Sequence, residues 1–456
     1  MATPGSHTYH THDEIPAIEL PFSKSMAARA IVIAAVRSLT GDSPLPPLPF
    51  SDTPSEQCDD IKVIAGGVRA LAAQAASPKG APGGTENPQE GYGTVTIDCG
   101  ASGTALRFLT ALAAALPGSD VRLTGTPRLC SRPVGALTGV LRSLGADITG
   151  EEKNTGEEIH APLLIKGKRL KGDGKAVQVD CRQSSQFLSA LMLASPLMRD
   201  VEFTTGDDAA SKPYITLTRR MMEMECSPAV ERDWSSAAFF YEYTAISGKP
   251  LILKDLTPPH LSLQGDSATA ELFAALGVET TEVPQGLLIS RRDKAETEVT
   301  ESTGGESIQR EKGEKRRRVC DISPTPDLAV PLLVAAAFCG REMEMHHTDI
   351  LRLKESDRIA AITAELAKTG INLCYSPENG GTLTIKGTIK GSSHAKPGIA
   401  ALPETAVKLE AHDDHRIAMA MIAAAGAVPF NAAMDHPETV AKSFPAFKRE
   451  LDKLKD

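Results

Sequence analysis

LPFSKSMAARAIVIAAV, residues 20–36, sets the pattern by which the rest of the chain is read. A strand-like approach, AIEL, gives way to Pro21, Ser23, Lys24 and Ser25, and then to Ala30–Val36, which is apolar on every side. A helix without a polar face has to be enclosed by protein. Its first turn still carries free backbone N–H groups and the positive end of the helix dipole. Lys24 and Arg29 beside those donors make a place for an anion, phosphate or carboxylate. Taken alone, the stretch is better read as an ordinary Ser-capped core helix with a solvated lysine.

Recurrence changes that balance. Apolar runs headed by cap-type polar residues return at Ser102–Leu116, Ser184–Leu197, Asp233–Ile246, Pro326–Cys339 and Asp413–Val428. Between them lie helices with one charged face, Gly135–Ile148, Thr269–Thr280 and Arg358–Leu373. In these the helical pattern gives way to Leu or Thr, then Gly, then β-type residues. Buried and surface helices alternating along a chain indicate internal duplication.

The 456 residues are too many for one core and predict two domains of roughly 200 residues each. A net charge of -9, from 49 Lys and Arg against 58 Asp and Glu, argues against a general nucleic-acid binder, so any anion site has to be a local gathering of cations. The eight cysteines are dispersed, without a CxxC pair, and read as reduced thiols of a cytoplasmic protein. No signal pattern opens the sequence and no apolar run reaches membrane-spanning length, so neither nucleic acid nor membrane is expected as a partner.

Several stretches are weighed and set aside. His7, His10 and His12 fit a frayed terminus or edge strand better than a metal site, because no acidic or Cys partner stands at ligand spacing. Gly41–Phe50 reads as a Pro-rich loop, Asp59–Ala73 as a surface helix and Ser77–Gly93 as an insertion. The charged tract Lys294–Arg318, ending in KRRR, reads as a solvated loop. Arg128 and Arg132 flank one turn ahead of a helix, which favours an anion near them, and Gly248–Pro250 reads as a junction.

Collected, the helix starts and adjacent turns carry Lys24, Arg29, Arg107, Arg132, Lys354, Arg358, Arg416 and Lys442, with Ser25, Ser184, Ser185, Gln186, Asp327, Glu355 and Asp414. So many cations facing one cleft would repel each other without a polyanionic ligand. Each charge pair at about 4 Å is worth roughly 4 kcal/mol at an effective dielectric near 20.

In these motifs the chain resembles the 5-enolpyruvylshikimate-3-phosphate synthases. The likeness runs in the family's order through SKSMAARA, GTALRFLTA, LTGTPRLCSRPVGAL, SSQFLSALMLASPL, SKPYI, DWSSAAFF, PDLAVP, LKESDR, DDHRIAMAM and AKSFPAF. It implies a two-domain inside-out α/β barrel of the enolpyruvyl transferase kind, each domain built from three βαβαββ repeats with buried helices aimed at the interdomain cleft. The expected division is 1–19 with 248–456 as one discontinuous domain, and 20–247 as the other. The implied reaction moves the carboxyvinyl group of phosphoenolpyruvate to the 5-hydroxyl of shikimate 3-phosphate, in a cytoplasmic monomer that needs neither metal nor other cofactor.

Carried over by position, the resemblance gives Lys24 contact with both substrates. It gives shikimate 3-phosphate also to Ser25, Arg29, Ser184, Ser185, Gln186, Ser211, Tyr214, Asp327 and Lys354. Phosphoenolpyruvate goes to Gly103, Arg132, Gln186, Arg358, Arg416 and Lys442, with Lys354 close by. Asp327 matches the base near the attacking hydroxyl and Glu355 the proton-transfer acid. An alcohol adding across an enol ether needs one proton delivered to carbon and one taken from oxygen, which two carboxylates with separate roles can manage. The chain departs from the family at Phe22, usually Gly, at Ala28 and Ala101, usually Asn, and at Ile350 and Leu351. Two other readings remain: enolpyruvyl transfer to UDP-N-acetylglucosamine, against which Ser25 stands where that family has Asn, and a polyanion-binding homologue without turnover.

Overall fold

The computed structural model describes residues 15–41, 58–76, 94–150, 159–224, 229–292, 318–386, 406–428 and 431–455. The histidines at 7, 10 and 12, the loop 42–50, the insertion 77–93 and the tract 294–317 lie outside the described residues. In chain order the elements of the N-terminal half are β1 (Ala17–Ile18), α1 (Lys24–Leu39), α2 (Asp59–Ala76), β2 (Val95–Asp98), α3 (Gly103–Ala115), β3 (Asp120–Thr124), α4 (Pro127–Cys130), α5 (Gly135–Ser143), β4 (Asp147–Gly150), β5 (Leu163–Lys166), β6 (Ala176–Val179), α6 (Gln186–Ala194), β7 (Glu202–Thr205) and α7 (Lys212–Glu223). The rest is α8 (Trp234–Ser247), β8 (Leu251–Lys254), α9 (Thr269–Ala274), β9 (Val278–Val283), β10 (Gly286–Arg291), β11 (Arg318–Asp321), α10 (Ala329–Phe338), β12 (Met343–His346), α11 (Arg358–Lys368), β13 (Asn372–Ser376), β14 (Thr382–Lys386), β15 (Val407–Leu409), α12 (His415–Ala427), β16 (Ala432–Met434) and α13 (Phe447–Asp452).

Three sheets share one plan: β2-β3-β5-β4, β1-β8-β10-β9 and β11-β12-β14-β13. In each, the first two strands are parallel and the remaining pairings antiparallel. A parallel pair needs a crossover, and a helix supplies it, which makes each unit βαβαββ. The parallel pairs β6–β7 and β15–β16, around α6 and α12, repeat the first half of the plan. Three of the six expected repeats are thus complete among the described residues.

Helices lie inside and sheets outside. Every residue of α10, all but one of α3 and of α8, and nine of the thirteen of α12 are buried. Strands β2 and β7, in contrast, alternate toward solvent. The all-round apolarity of the helices dictates this, since each buried Leu, Ile or Phe side chain contributes roughly 1.5–3 kcal/mol and no face can be spared for water. The architecture is the two-domain inside-out α/β barrel.

Two apolar cores result. One joins α1, α2, α3, α5, α6 and α7, from Met26 to Met221; the other joins α8, α10, α11, α12 and α13 with Ile18 and Leu20. Placing 234–247 with the preceding residues is therefore corrected. Trp234, Phe239, Phe240, Tyr241 and Tyr243 pack in the second core, where Phe240 meets Phe444 and Phe447. Gly248, read as a junction, is instead the left-handed cap of α8 at φ 77°, its N–H donating to Thr244 O.

The chain passes between cores at 20–23 and returns at 231–233, and these passages bond to each other. Phe22 bridges Arg232 antiparallel, Ser23 N donates to Glu231 O at 2.8 Å and Asp233 N to Pro21 O at 2.9 Å. Arg232 also lies 4.5 Å over the Phe22 ring and donates to Leu20 O.

Candidate active site

On the first lobe the expected cations sit at helix starts, but buried more deeply than a ligand-free surface would require. Arg29, 2% exposed, donates to Thr218 Oγ1 (2.7 Å), Ser25 O (2.7 Å), Ser189 Oγ and Tyr214 O (both 3.3 Å), and lies over the rings of Phe108 and Tyr214. All of these partners are neutral. Burial accordingly lowers its pKa to about 10. Arg107 is similar: it donates to Gln186 Oε1 and Pro133 O and stacks on Phe187, and burial followed by the charge of Arg132 pulls its pKa well down. Lys24 is paired, 3.2 Å from Asp60. Burial, the largest influence, works against its charge, as does Arg416, but Asp60, Glu355 and Cys58 together outweigh them and the pKa is raised.

Gly103 opens α3 behind its Ser102 cap, and a Cβ here would stand 2.6 Å from Arg132 Nη1. A Cβ does not fit with Arg132 where it stands, so Gly103 lets the guanidinium lie against the helix start. Gln186 is held between Arg107 and Thr104 Oγ1. Ser184 Oγ accepts from Gln186 N, while the Ser185 hydroxyl makes no capping bond. Ser211 caps α7 from the left-handed region, φ 56°, a conformation that costs a non-glycine roughly 1–2 kcal/mol and persists only where surroundings enforce it. Its side chain also makes no capping bond, and its N–H reaches Ser323 O of the second lobe at 2.9 Å.

The second lobe brings its carboxylates and cations into one network. Asp327, just ahead of α10, is 2.7 Å from Arg416 Nη2, 3.0 Å from Arg358 Nη1 and 3.5 Å from Lys354 Nζ. Glu355 is 2.8 Å from Arg358 Nη2 and 3.1 Å from Lys442 Nζ. Burial would raise both carboxyls. Arg416, Lys354 and Arg358 instead hold Asp327 well below the usual range, and Lys442, Arg358 and Arg132 do the same for Glu355. Arg358 also donates through Nε to fully buried Asp414 at 2.8 Å, so all three of its nitrogens face carboxylates. Lys354 is the opposite case: burial lowers its pKa, and Asp327 does not restore it.

Asp414 caps α12, accepting from Arg416 N. Ahead of it His412 and Asp413 are both left-handed, with φ 52° and 53°. Fully buried Glu365 steadies this turn, accepting from Glu410 N at 2.9 Å and lying 2.7 Å from His412 Nε2.

The lobes meet through these groups. Lys442 Nζ donates to Ala101 O at 3.1 Å, Tyr214 OH to Asp266 Oδ2 at 3.1 Å, and Arg128 to carbonyls of Arg352, Lys354 and Glu355. Burial, then Asp266 and Asp327, push the Tyr214 phenol well up, and burial with Asp327 raises Asp266 to about 6. The departures find uses as well. Ala101 offers its carbonyl to Lys442, and Phe22 stacks beneath Arg232 without a positive φ.

Arg128 is not an anion ligand in this arrangement, since it is bound to carbonyls. Asp60, Asp266 and His415 belong to the setting but escaped the sequence reading. His415, 1% exposed, has no partner for either ring nitrogen among the described residues, and burial, Lys24 and Lys442 keep it neutral. Its position directly before Arg416 was the available signal.

The family model described as EPSP synthase (3-phosphoshikimate 1-carboxyvinyltransferase) matches residues 16–227 and 223–451. A 3-phosphoshikimate 1-carboxyvinyltransferase of Bacteroides fragilis is 30% identical over 460 residues, covering 96% of this chain and 94% of that one. One from Methanoculleus marisnigri is 32% identical, covering 95% and 96%, and one from Haemophilus influenzae 31%, covering 96% of each. Among solved structures, EPSP synthase from Acinetobacter baumannii has the same fold, with a TM-score of 0.57 at 20% identity over 96% of this chain and 97% of that one. With the family matched along nearly its whole length, the chain belongs to the EPSP synthases.

Proposed function

We propose that the chain transfers the carboxyvinyl group of phosphoenolpyruvate to the 5-hydroxyl of shikimate 3-phosphate, releasing phosphate, between lobes formed by 15–20 with 234–455 and by 24–224. The observation that carries the reading is the pair Asp327 and Glu355, half-buried among Arg358, Arg416, Lys354 and Lys442 and opposite the unneutralised Arg29 and Arg107. A ligand with several negative charges completes such a site.

Shikimate 3-phosphate is assigned to Ser25, Arg29, Ser184, Ser185, Gln186, Ser211 and Tyr214, with Lys354 and Asp327 at its reacting hydroxyl. Phosphoenolpyruvate is assigned to Lys24, Gly103, Arg132, Arg416 and Lys442. Arg358, already spanning three carboxylates, orders the site rather than docking substrate.

In the addition step the 5-oxygen bonds to C2 of phosphoenolpyruvate, Asp327 takes the hydroxyl proton and Glu355 delivers one to C3. In the elimination C3 returns its proton and the C2–O bond to phosphate breaks, with Lys24, Arg132 and Lys442 holding the leaving charge. Ligand anions that draw Lys442 and Arg132 away from Glu355 raise its pKa, which lets an otherwise ionised carboxylate carry a proton. The reading is of a cytoplasmic monomer; among the described residues no helix is long and apolar enough to cross a membrane, and the cysteines are unpaired.

The test mixes purified protein with phosphoenolpyruvate and either shikimate 3-phosphate or UDP-N-acetylglucosamine, and measures phosphate and enol ether. Both products with the first acceptor alone are expected; no phosphate with it overturns the reading.

A further inference from the structure

Arg128 lies on the first lobe in the four-residue helix α4, exposed and capped by Thr126, four residues before Arg132. Its Nη2 donates to Arg352 O at 2.8 Å and Lys354 O at 3.2 Å, and its Nε to Lys354 O and Glu355 O at 3.3 Å each. One guanidinium thus collects three main-chain acceptors from a four-residue stretch of the other lobe, those of Arg352, Lys354 and Glu355. These belong to the segment that presents Lys354 and Glu355. On its outer side the same segment is tied by Arg352, which is 2.9 Å from Asp357 and 4.3 Å over the Tyr375 ring. Its side chains Lys354 and Glu355 are held by their own lobe, through Asp327, Arg358 and Lys442. Its backbone toward the cleft is held by Arg128.

We propose that Arg128 is a positioning residue, which fixes the backbone of residues 352–355 when the lobes are together and so ties the placement of Glu355 to closure. The proposal rests on the carboxyvinyl-transfer reading for its catalytic half only. A planar fork with several N–H donors suits converging carbonyls; an ammonium holds them less well. The same short helix leads into Arg132, whose guanidinium rests at Gly103, so one rigid turn carries both the fastening and a substrate-facing cation. An exposed side chain that bonds only the opposite lobe adds little to the stability of its own.

The test compares hydrogen exchange and turnover of the full chain with Arg128→Ala, Arg128→Lys and, as control, Lys171→Ala, an exposed cation of the same lobe paired with Asp200. Without added ligand, Arg128→Ala is expected to speed exchange in a peptide spanning 352–357 roughly fivefold or more, leaving the first-lobe helices unchanged. Turnover is expected to fall roughly tenfold or more with the melting temperature retained, and Arg128→Lys to recover part of both losses. Unchanged exchange at 352–357 overturns the proposal, as does acceleration spread evenly over both lobes, or faster exchange with full turnover. If the unaltered chain releases no phosphate, the functional reading fails, and the exchange result still decides whether Arg128 holds that segment.

Discussion

Asp327 and Glu355 are joined through a single guanidinium, that of Arg358, 3.0 Å from the first carboxylate and 2.8 Å from the second. Any change of charge on one is therefore felt by the other through a shared cation. Arg358→Lys keeps the charge but cannot span both while reaching Asp414. Turnover should fall by roughly a hundredfold or more, a loss measurable as phosphate release at saturating substrates. Arg358→Ala leaves Asp414 buried without its cation and should cost about 3–5 kcal/mol in denaturant unfolding.

Arg29 makes the opposite prediction. Because Thr218, Ser25, Ser189 and Tyr214, which take its hydrogen bonds, are all neutral, Arg29→Met should leave the melting temperature of the free protein unchanged or raised. The ligand response should vanish instead. Shikimate 3-phosphate at about a hundred times its dissociation constant stabilises the unaltered protein by roughly 2.7 kcal/mol, and a thermal shift assay with the variant should show little of this. A variant that melts early but still responds to ligand would refute the assignment.

At Gly103 a methyl group fits only if a neighbouring guanidinium gives way. Gly103→Ala places carbon 2.6 Å from Arg132 Nη1 and 3.1 Å from Arg107 Nη1, so the Arg132 guanidinium has to move. KM for phosphoenolpyruvate should rise roughly tenfold or more, while binding of shikimate 3-phosphate, titrated alone, changes little.

Glu242 bears on stability and not on catalysis. It is fully buried in α8 with no partner for either carboxylate oxygen among the described residues, and burial raises its pKa well above 4.5. The folded state thus holds this proton more tightly than the unfolded chain. The contribution is fully present below about pH 4.5 and is lost as pH rises through the higher folded value. Glu242→Gln should flatten that decline. Denaturant midpoints at about pH 5 and about pH 8 would differ less in the variant than in the parent, and equal differences would reject the account.

The buried helices were legible because total apolarity has one structural solution. Ser102, Asp233 and Asp414 do cap α3, α8 and α12, as their place ahead of apolar runs suggests. The lobe boundary was missed because Gly248 carries the signature of an ending, and a helix cap writes that signature as readily as a domain junction does. Arg128 was misread for a different reason. Its partners are carbonyls more than 220 residues away, and main-chain acceptors leave no trace in side-chain sequence. Asp60 and Asp266 were missed alike, because each gains its meaning from a residue of a distant segment, Lys24 or Tyr214.

The paired passages at Phe22 and Arg232 have a mechanical corollary. Two separate single-chain tethers would let one body slide, twist and swing against the other. Tethers bonded edge to edge behave as a ribbon, stiff in its own plane and pliant across it, which removes most of those freedoms and leaves a swing about one axis. Halves swinging on such a ribbon would return to the same alignment, so groups contributed by opposite sides would find their partners without a search.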